Sequence, residues 1–223
     1  INSDSEPETA ERIPWVKTIP RRETWAFALT TVTDAVWWFY LFWGAKFLFE
    51  QFGVDINNVG LPFLVIFIMA DAGSLIGGLA SGALIRKGWS INKARKITLL
   101  VNAIIILPVS LVPIIASKWL AVFIIGIGAF GHQSWSINSY TLVPDVFPKK
   151  ATASVIGIGK MVGVVVSIVA DLALGSVLDK AGNSGYFWAF VIAGFSYLAI
   201  LGFVHMLMPK MTPLDDNLEY IKK

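Results

Sequence analysis

The sequence predicts an all-α integral membrane protein, and three observations lead to this fold class. The chain of 223 residues is 56% hydrophobic with a mean hydropathy of +0.68. Only 15% of its residues are charged, against roughly 25% in soluble domains. Its apolar residues form long continuous runs near the ~20 residues that a membrane helix needs, without the alternation of membrane β-barrels. A soluble globular fold is therefore excluded.

Six such runs follow one another along the chain and predict six transmembrane helices. They cover residues 25–49, 61–84, 97–115, 120–140, 153–178 and 186–208. The segment 1–23 is rich in Glu, Pro and Arg and lacks the order of a signal peptide. We therefore expect a cytoplasmic linker at 1–23, a six-helix membrane domain at 24–208 and a polar cytoplasmic tail at 209–223.

The distribution of Lys and Arg predicts the orientation. Fourteen of the 18 lie in the linker, the second and fourth connections and the tail, whereas Lys46, Lys118 and Lys180 lie on the opposite side. Cytoplasmic loops carry an excess of Lys and Arg. Both ends of the segment are therefore predicted to be cytoplasmic, in a multi-pass protein of the inner (cytoplasmic) membrane.

Four ionisable residues lie inside the predicted spans, namely Asp34, Asp71, Lys160 and Asp171. A charge at the bilayer centre costs on the order of 2.5–3.5 kcal/mol on insertion scales. Asp34 and Asp71 are therefore expected to face a bundle interior or a water-filled cavity. For Lys160 two interpretations stay open: an ion pair between helices, and a role in substrate binding or gating.

Polar and aromatic side chains on two helices are candidates for binding a polar ligand. The first span carries Trp37, Trp38 and Tyr40 close to Asp34, and the fourth carries Gln133, Ser134, Trp135 and Asn138. Aromatic rings with a polar tip suit a sugar ring, whose apolar faces stack while its hydroxyls form hydrogen bonds. Packing between helices is the alternative for these residues, and His132 is expected to be a satisfied interior histidine.

Other chemistries find little support in the sequence. The chain has no Cys and two distant His, so neither a thiolate nor a histidine metal site is expected. There is no Walker loop and no Gly-x-Ser-x-Gly nucleophile turn. We therefore expect no enzyme, no cofactor, no metal and no nucleic-acid partner.

Four ordered segments resemble the second half of a Major Facilitator Superfamily carrier. They are DAVWWFYLFWGAKFL (34–48), MADAGSLIGGLASGALIRKGWSINKARK (69–96), GHQSWSIN (131–138) and VPDVFPKKATASVIGIGKMVG (143–163). Within the superfamily the chain is most similar to the anion:cation symporters, and among these to bacterial hexuronate (glucuronate and galacturonate) transporters. The likeness extends over nearly all of residues 22–213.

This resemblance implies helices seven to twelve of a twelve-helix fold, with substrate held between two six-helix halves. The partners implied are a small organic anion, protons, the lipid bilayer and a missing N-terminal half that holds the carboxylate-binding arginine. Residues 86–96 stand where the superfamily has its cytoplasmic gate. The gate residues implied are Arg86, Lys87, Arg95, Asp145 and Lys149.

The resulting expectation is proton-coupled uptake of a hexuronate or similar sugar acid by alternating access. The substrate-binding residues expected in this half are Asp34, Trp37, Trp38, Tyr40, Gln133, Ser134, Trp135, Asn138 and Lys160. Two alternatives remain. One is a carrier of another organic anion, such as an aldonate, and the other is a small six-span channel or packing subunit.

Overall fold

The computed structural model describes residues 12–55 and 57–221, except the side chain of residue 183. The regular elements of these ranges are helices, apart from one isolated antiparallel bridge between Leu214 and Tyr220. The helices are α1 (Trp15–Thr18), α2 (Arg22–Thr31), α3 (Asp34–Phe52), α4 (Gly60–Arg86), α5 (Ile91–Ile106), α6 (Lys118–Val146), α7 (Lys149–Ala181) and α8 (Asn183–Leu207). A 3₁₀ helix, Leu107–Ile114, extends α5.

Five helical segments of the described ranges are long and apolar enough to cross a membrane. They are Gly60–Arg86, Ile91–Ile114, Lys118–Val146, Lys149–Ala181 and Ser184–Leu207. Each contains or overlaps one of the runs predicted from the sequence. The all-helical fold and five of the six predicted runs therefore have a direct counterpart in the structure.

The first predicted run, 25–49, is not one helix. It is divided into α2, with 10 residues, and α3, with 19. Around the break, the hydroxyls of Thr30, Thr31 and Thr33 each donate to the carbonyl three residues earlier. Such side-chain bonds compete with the backbone ladder of a helix, and the backbone N–H groups of Val32, Ala35 and Val36 also bond three residues back. The run predicted as one helix over 25–49 is therefore interrupted between Thr31 and Asp34.

Despite this break, α2 and α3 continue in one direction beside α7. Gly159 of α7 lies against Phe27 of α2, and Gly175 lies against Trp43 of α3. From the first contact to the second, the position increases by the same number of residues along α7 and along α2–α3. The two segments therefore run parallel. Val32 and Thr33 keep right-handed helical φ and ψ values, so the junction tightens the chain without reversing it.

The core of the bundle is centred on α6. Its buried side chains include Trp135, which is fully buried and packs edge-on against Tyr197 of α8 at 5.2 Å between ring centroids. On its other side α6 meets α4 very closely, because a Cβ at Gly73 or Gly77 would overlap α6 at Phe130 or Ser134. Small residues allow such close approach of helices in lipid. These two glycines fix which face of α4 is turned toward α6.

One end of the bundle gathers the segments that the sequence analysis assigns to the cytoplasm. The backbone N–H of Leu214 donates to the Val146 carbonyl at 2.7 Å, and that of Ile13 donates to the Lys150 carbonyl at 3.1 Å. The Lys96 ammonium donates to the Met208 carbonyl at 2.6 Å. The described parts of the linker and the tail therefore pack against the connections between helices.

Candidate functional site

Two of the four ionisable residues inside the predicted spans form an ion pair between α7 and α3. The Lys160 Nζ donates to Asp34 Oδ2 at 2.7 Å. The same ammonium lies 5.0 Å from the centre of the Tyr140 ring on α6, within the range of a cation–π interaction. The Lys160 side chain is 40% exposed and that of Asp34 is 19% exposed. The pair is therefore open to one side of the bundle.

The local backbone explains why these two charges meet. Asp34 is the first residue of α3, directly after the break, so its carboxylate leaves the chain where the helix begins. Gly163 lies one turn from Lys160, and a Cβ there would come within 2.8 Å of the Thr31 carbonyl oxygen. The Thr31 hydroxyl also donates to the Gly159 carbonyl at 2.6 Å. Close packing of α7 on α2 thus brings Lys160 alongside the start of α3.

Two further half-buried side chains lie on the same elements as this pair. Trp37, one turn after Asp34, stacks on His132 with ring centroids 5.4 Å apart and planes 12° apart. Gln133 lies two turns before Tyr140 along α6, so both share one face of that helix. The elements therefore offer a cation, a carboxylate, an amide and an aromatic ring, which suit a polar ligand.

The structure places four of the other expected binding residues inside the helix packing. Ser134 donates to Asn102 Oδ1 at 2.9 Å, and Asn138 Nδ2 donates to the carbonyls of Gly77 and Ser134 at 2.9 and 2.8 Å. Trp135 Nε1 donates to the Thr30 carbonyl at 3.3 Å. Tyr40 is buried as well. These side chains fasten α6 to its neighbours, and we leave them out of the candidate site.

Two of the remaining aromatic and polar residues also have clear positions. Trp38 is exposed and stacks on Phe42 of the same helix. His132 is buried, and its Nδ1 is 2.7 Å from the Tyr197 hydroxyl. Tyr197 was not among the residues expected from the sequence, because its contact with His132 joins positions 65 residues apart.

The other two intramembrane carboxylates differ from Asp34. Asp171 of α7 accepts a hydrogen bond from Trp43 Nε1 at 3.1 Å, so it has a neutral partner on α3. Asp71 of α4 is exposed, and no side chain in residues 12–55 or 57–221 makes a hydrogen bond or ion pair with it. The expected placement in an interior or cavity is therefore not seen for Asp71 within this chain.

Of the residues implied for the cytoplasmic gate, two form a contact. Arg95 Nε donates to Asp145 Oδ2 at 2.7 Å, and Arg95 Nη1 donates to Ser81 Oγ at 2.6 Å. This network ties the ends of α4 and α6 to the beginning of α5, and its side chains are mostly buried. Arg86, Lys87 and Lys149 are exposed at the same end.

A second polar cluster at this end joins the tail to α2. The Tyr220 hydroxyl donates to Glu23 Oε1 at 2.6 Å, and Arg22 Nη2 donates to the Tyr220 oxygen at 3.1 Å. The hydrogen bond with Tyr220, followed by that with Glu23, raises the pKa of the Arg22 guanidinium. Nothing in the local sequence signals this cluster, because its members are nearly 200 residues apart.

The fold and these charged contacts define a multi-pass helical membrane protein with ionisable groups inside its spans. No group of three or more His, Cys, Asp or Glu capable of holding a metal ion occurs in the described part of the chain. Comparison with known proteins gives the family: the model for the Major Facilitator Superfamily matches residues 2–171. The chain belongs to this superfamily.

Curated relatives are similar at low identity over most of the chain. A probable galactarate/D-glucarate transporter of Bacillus subtilis is 24% identical over 97% of this chain and 49% of its own length. The hexuronate transporter of Escherichia coli is 24% identical over 86% of this chain and 45% of its own length. A probable L-galactonate transporter of Escherichia coli is 25% identical over 64% of this chain and 32% of its own length. The chain thus spans about half the length of the curated relatives it matches.

Proposed function

We propose that this chain forms one half of a secondary active transporter that carries a sugar acid across the bacterial inner membrane. Membership of the superfamily supports transport rather than catalysis, and three relatives carry names of sugar acid transporters. The match to about half of their length supports a missing six-helix half. In this proposal the substrate is held between the two halves, which rock about it, and protons are the coupling ion.

The sixth crossing in this proposal is built from α2 and α3 together. At 1.5 Å per residue their 10 and 19 residues give about 15 and 28 Å of helix. Their shared direction beside α7 supports one interrupted crossing rather than two separate elements. With six crossings both ends of the chain lie on one side, which is the cytoplasmic side by the distribution of Lys and Arg.

Labelling of single cysteines tests this topology, because the natural chain contains none. Asn57→Cys and Lys180→Cys are expected to react with a membrane-impermeant thiol reagent added to intact cells. Lys87→Cys and Asn217→Cys are the matched controls, and they are expected to react only after the membrane is permeabilised. All four natural side chains are exposed, so accessibility within the fold does not bias the result. The reverse pattern would overturn the orientation.

The observation that carries the functional proposal is the partly exposed pair of Lys160 and Asp34 within the spans. A charge kept inside a membrane at such cost is by default part of a substrate or ion pathway. We place the substrate against Lys160, with Trp37, Gln133 and Tyr140 on the polyol side. A hexuronate offers one carboxylate and several hydroxyls to these groups, and an aldarate offers two carboxylates.

Transport by the complete carrier, with the six-helix half joined to this chain, tests the proposal. In proteoliposomes with an imposed proton gradient we expect saturable uptake of glucuronate or galactarate. Gln133→Ala is expected to weaken apparent affinity about 5- to 150-fold, since it leaves one partner of a ligand hydroxyl unpaired. Saturable proton-driven uptake by the 223-residue chain alone would refute the half-carrier proposal, and uptake of neither acid by the complete carrier would refute its substrate class.

A further inference from the structure

The partners of the Lys160 ammonium in this chain do not use all of its N–H donors. It has three N–H donors, of which one points to Asp34 Oδ2 at 2.7 Å. Tyr140 is a second neighbour of the ammonium, because its ring centre lies 5.0 Å away and its hydroxyl also interacts with Lys160, which leaves the third N–H donor for another acceptor. With 40% of the side chain exposed, the ammonium is accessible from the open side. A second anion can therefore reach it.

The carboxylate of a bound sugar acid would be chemically equivalent to that of Asp34. It presents to Lys160 the same planar pair of oxygens that a sugar acid carries at its carboxyl end. Two carboxylates close together repel each other, so a carboxylate that arrives at Lys160 favours the departure of Asp34. The two anions thus compete for one cation.

The position of Asp34 in the chain makes its release feasible. It begins α3 directly after the junction with α2, and its side chain is 19% exposed. The carboxylate also points from a break between two helices rather than from a helix interior. When Asp34 leaves Lys160, its carboxylate therefore keeps access to the open side of the bundle.

We propose that Asp34 is a tethered competitor that occupies Lys160 in the empty site and is displaced by the carboxylate of the substrate. This inference rests on the proposed function and names the chemistry of its substrate, an anion with at least one free carboxylate. The pair then sets both specificity and release. Lys160 selects carboxylates, and the return of Asp34 helps to expel the bound acid.

Binding measurements on the complete carrier test this proposal with four variants. Asp34→Asn is expected to bind glucuronate about tenfold more tightly, because the tethered anion is gone, whereas Lys160→Gln is expected to lose about 10- to 100-fold, the scale of a hydrogen bond to a charged group. The double variant is expected to bind glucuronate with the affinity of Lys160→Gln, because removal of Asp34 does not strengthen binding when the cation is absent. Lys160→Arg keeps the charge and is expected to retain most of the affinity.

Two readouts separate competition from a purely structural ion pair. Asp34→Asn is expected to lower the maximal uptake rate while it lowers the apparent KM, because the acid is released more slowly. Glucuronamide, which lacks the carboxylate, is expected to bind the wild type and Asp34→Asn equally. For a structural pair both single variants would instead lose folded protein, and the double variant would recover it.

The failure of this inference is distinct from the failure of the proposed function. Glucuronate binding that is unchanged or weakened in correctly folded Asp34→Asn would overturn the competition. A wild-type carrier that binds neither glucuronate nor galactarate saturably would overturn the proposed function itself.

Discussion

Asp34 and Asp71 are the same chemical group inside two predicted spans, yet the fold treats them in opposite ways. Asp34 lies where α3, α6 and α7 meet, and Lys160 lies 2.7 Å from it. Asp71 lies on the open face of α4, in line with Leu64, Ile68 and Leu75, which are all exposed. Asp34 is paired with a lysine of this chain, whereas Asp71 has no hydrogen-bond or ion-pair partner in the described part of the chain.

The difference shows that the charge at the α3–α7 contact and the charge on the open face of α4 are neutralised in different ways. An unmatched intramembrane charge calls for a partner or water, because exposure to lipid is costly. The α3–α7 contact meets this requirement with a lysine from the same chain. The open face of α4 requires contact with material from outside the described residues, which fits the missing half of the proposed carrier.

The position of Asp71 depends on the packing of α4 against α6. We therefore expect the largest loss of stability from a substitution in that contact. Gly77→Ala would place a Cβ 2.6 Å from the Ser134 Cα. We expect a loss of about 3 kcal/mol in the free energy of unfolding, the upper part of the range for overpacking. A thermal or denaturant melt of the purified protein in detergent measures it.

Gly78→Ala is the matched control for this substitution. It places the same methyl group on the next residue, where the nearest atom is the Ile137 Cγ2 at an ordinary 3.5 Å. Because alanine is the better helix former, stability is expected to stay equal or rise slightly. Equal losses for both variants would show that the close contact between α4 and α6 is absent.

The next effect concerns the hydrogen bond that fastens the same two helices. Asn138→Ala removes the donor to the carbonyls of Gly77 and Ser134. We expect a loss of about 1–3 kcal/mol in stability, since buried polar partners are left unpaired. Gln133→Ala, at a half-exposed position of the same helix, is expected to stay within about 0.5 kcal/mol. A stable Asn138→Ala variant with impaired substrate binding would return Asn138 to the site.

The smallest effects compare the two carboxylates directly. In this chain alone Asp34→Ala is expected to cost about 1–2 kcal/mol, less than a fully buried pair because Lys160 is 40% exposed. Asp71→Leu is expected to be neutral or stabilising in the same melt, since Asp71 makes no hydrogen bond or ion pair in the described part of the chain. In the complete carrier Asp71→Leu is expected to destabilise. If Asp71→Leu changes the stability of this chain alone and of the complete carrier by the same amount, Asp71 has no partner in the other half.

The sequence predicts the helical runs well, because hydropathy over twenty residues is a strong local signal. It misses the break before Asp34, where three threonine hydroxyls bond back to the chain within one turn. Its assignment of Trp135 and Asn138 to the ligand stays a prediction, and in the structure both side chains are buried between helices. Periodicity indicates which residues share a helical face but not what that face contacts.

The central contact of the candidate site lies beyond such local reasoning. Lys160 and Asp34 are 126 positions apart, and nothing near either residue specifies the other. The cost of an intramembrane charge indicates that Lys160 needs a partner from another helix or from water, and Asp71 or water satisfies this argument as well as Asp34 does. Only the packing of α7 on α2, through Gly159 and Gly163, selects between them.

The packing of the described linker and tail has a practical consequence for protein engineering. Glu23 and Tyr220 are joined by a hydrogen bond, and Ile13 contacts the same connection that pairs with Asp216. The described parts of the linker and the tail therefore lie side by side. A short peptide joining them would allow a circular permutant opened at the exposed turn around Asn57, and its refolding would report how much of the assembly depends on chain order.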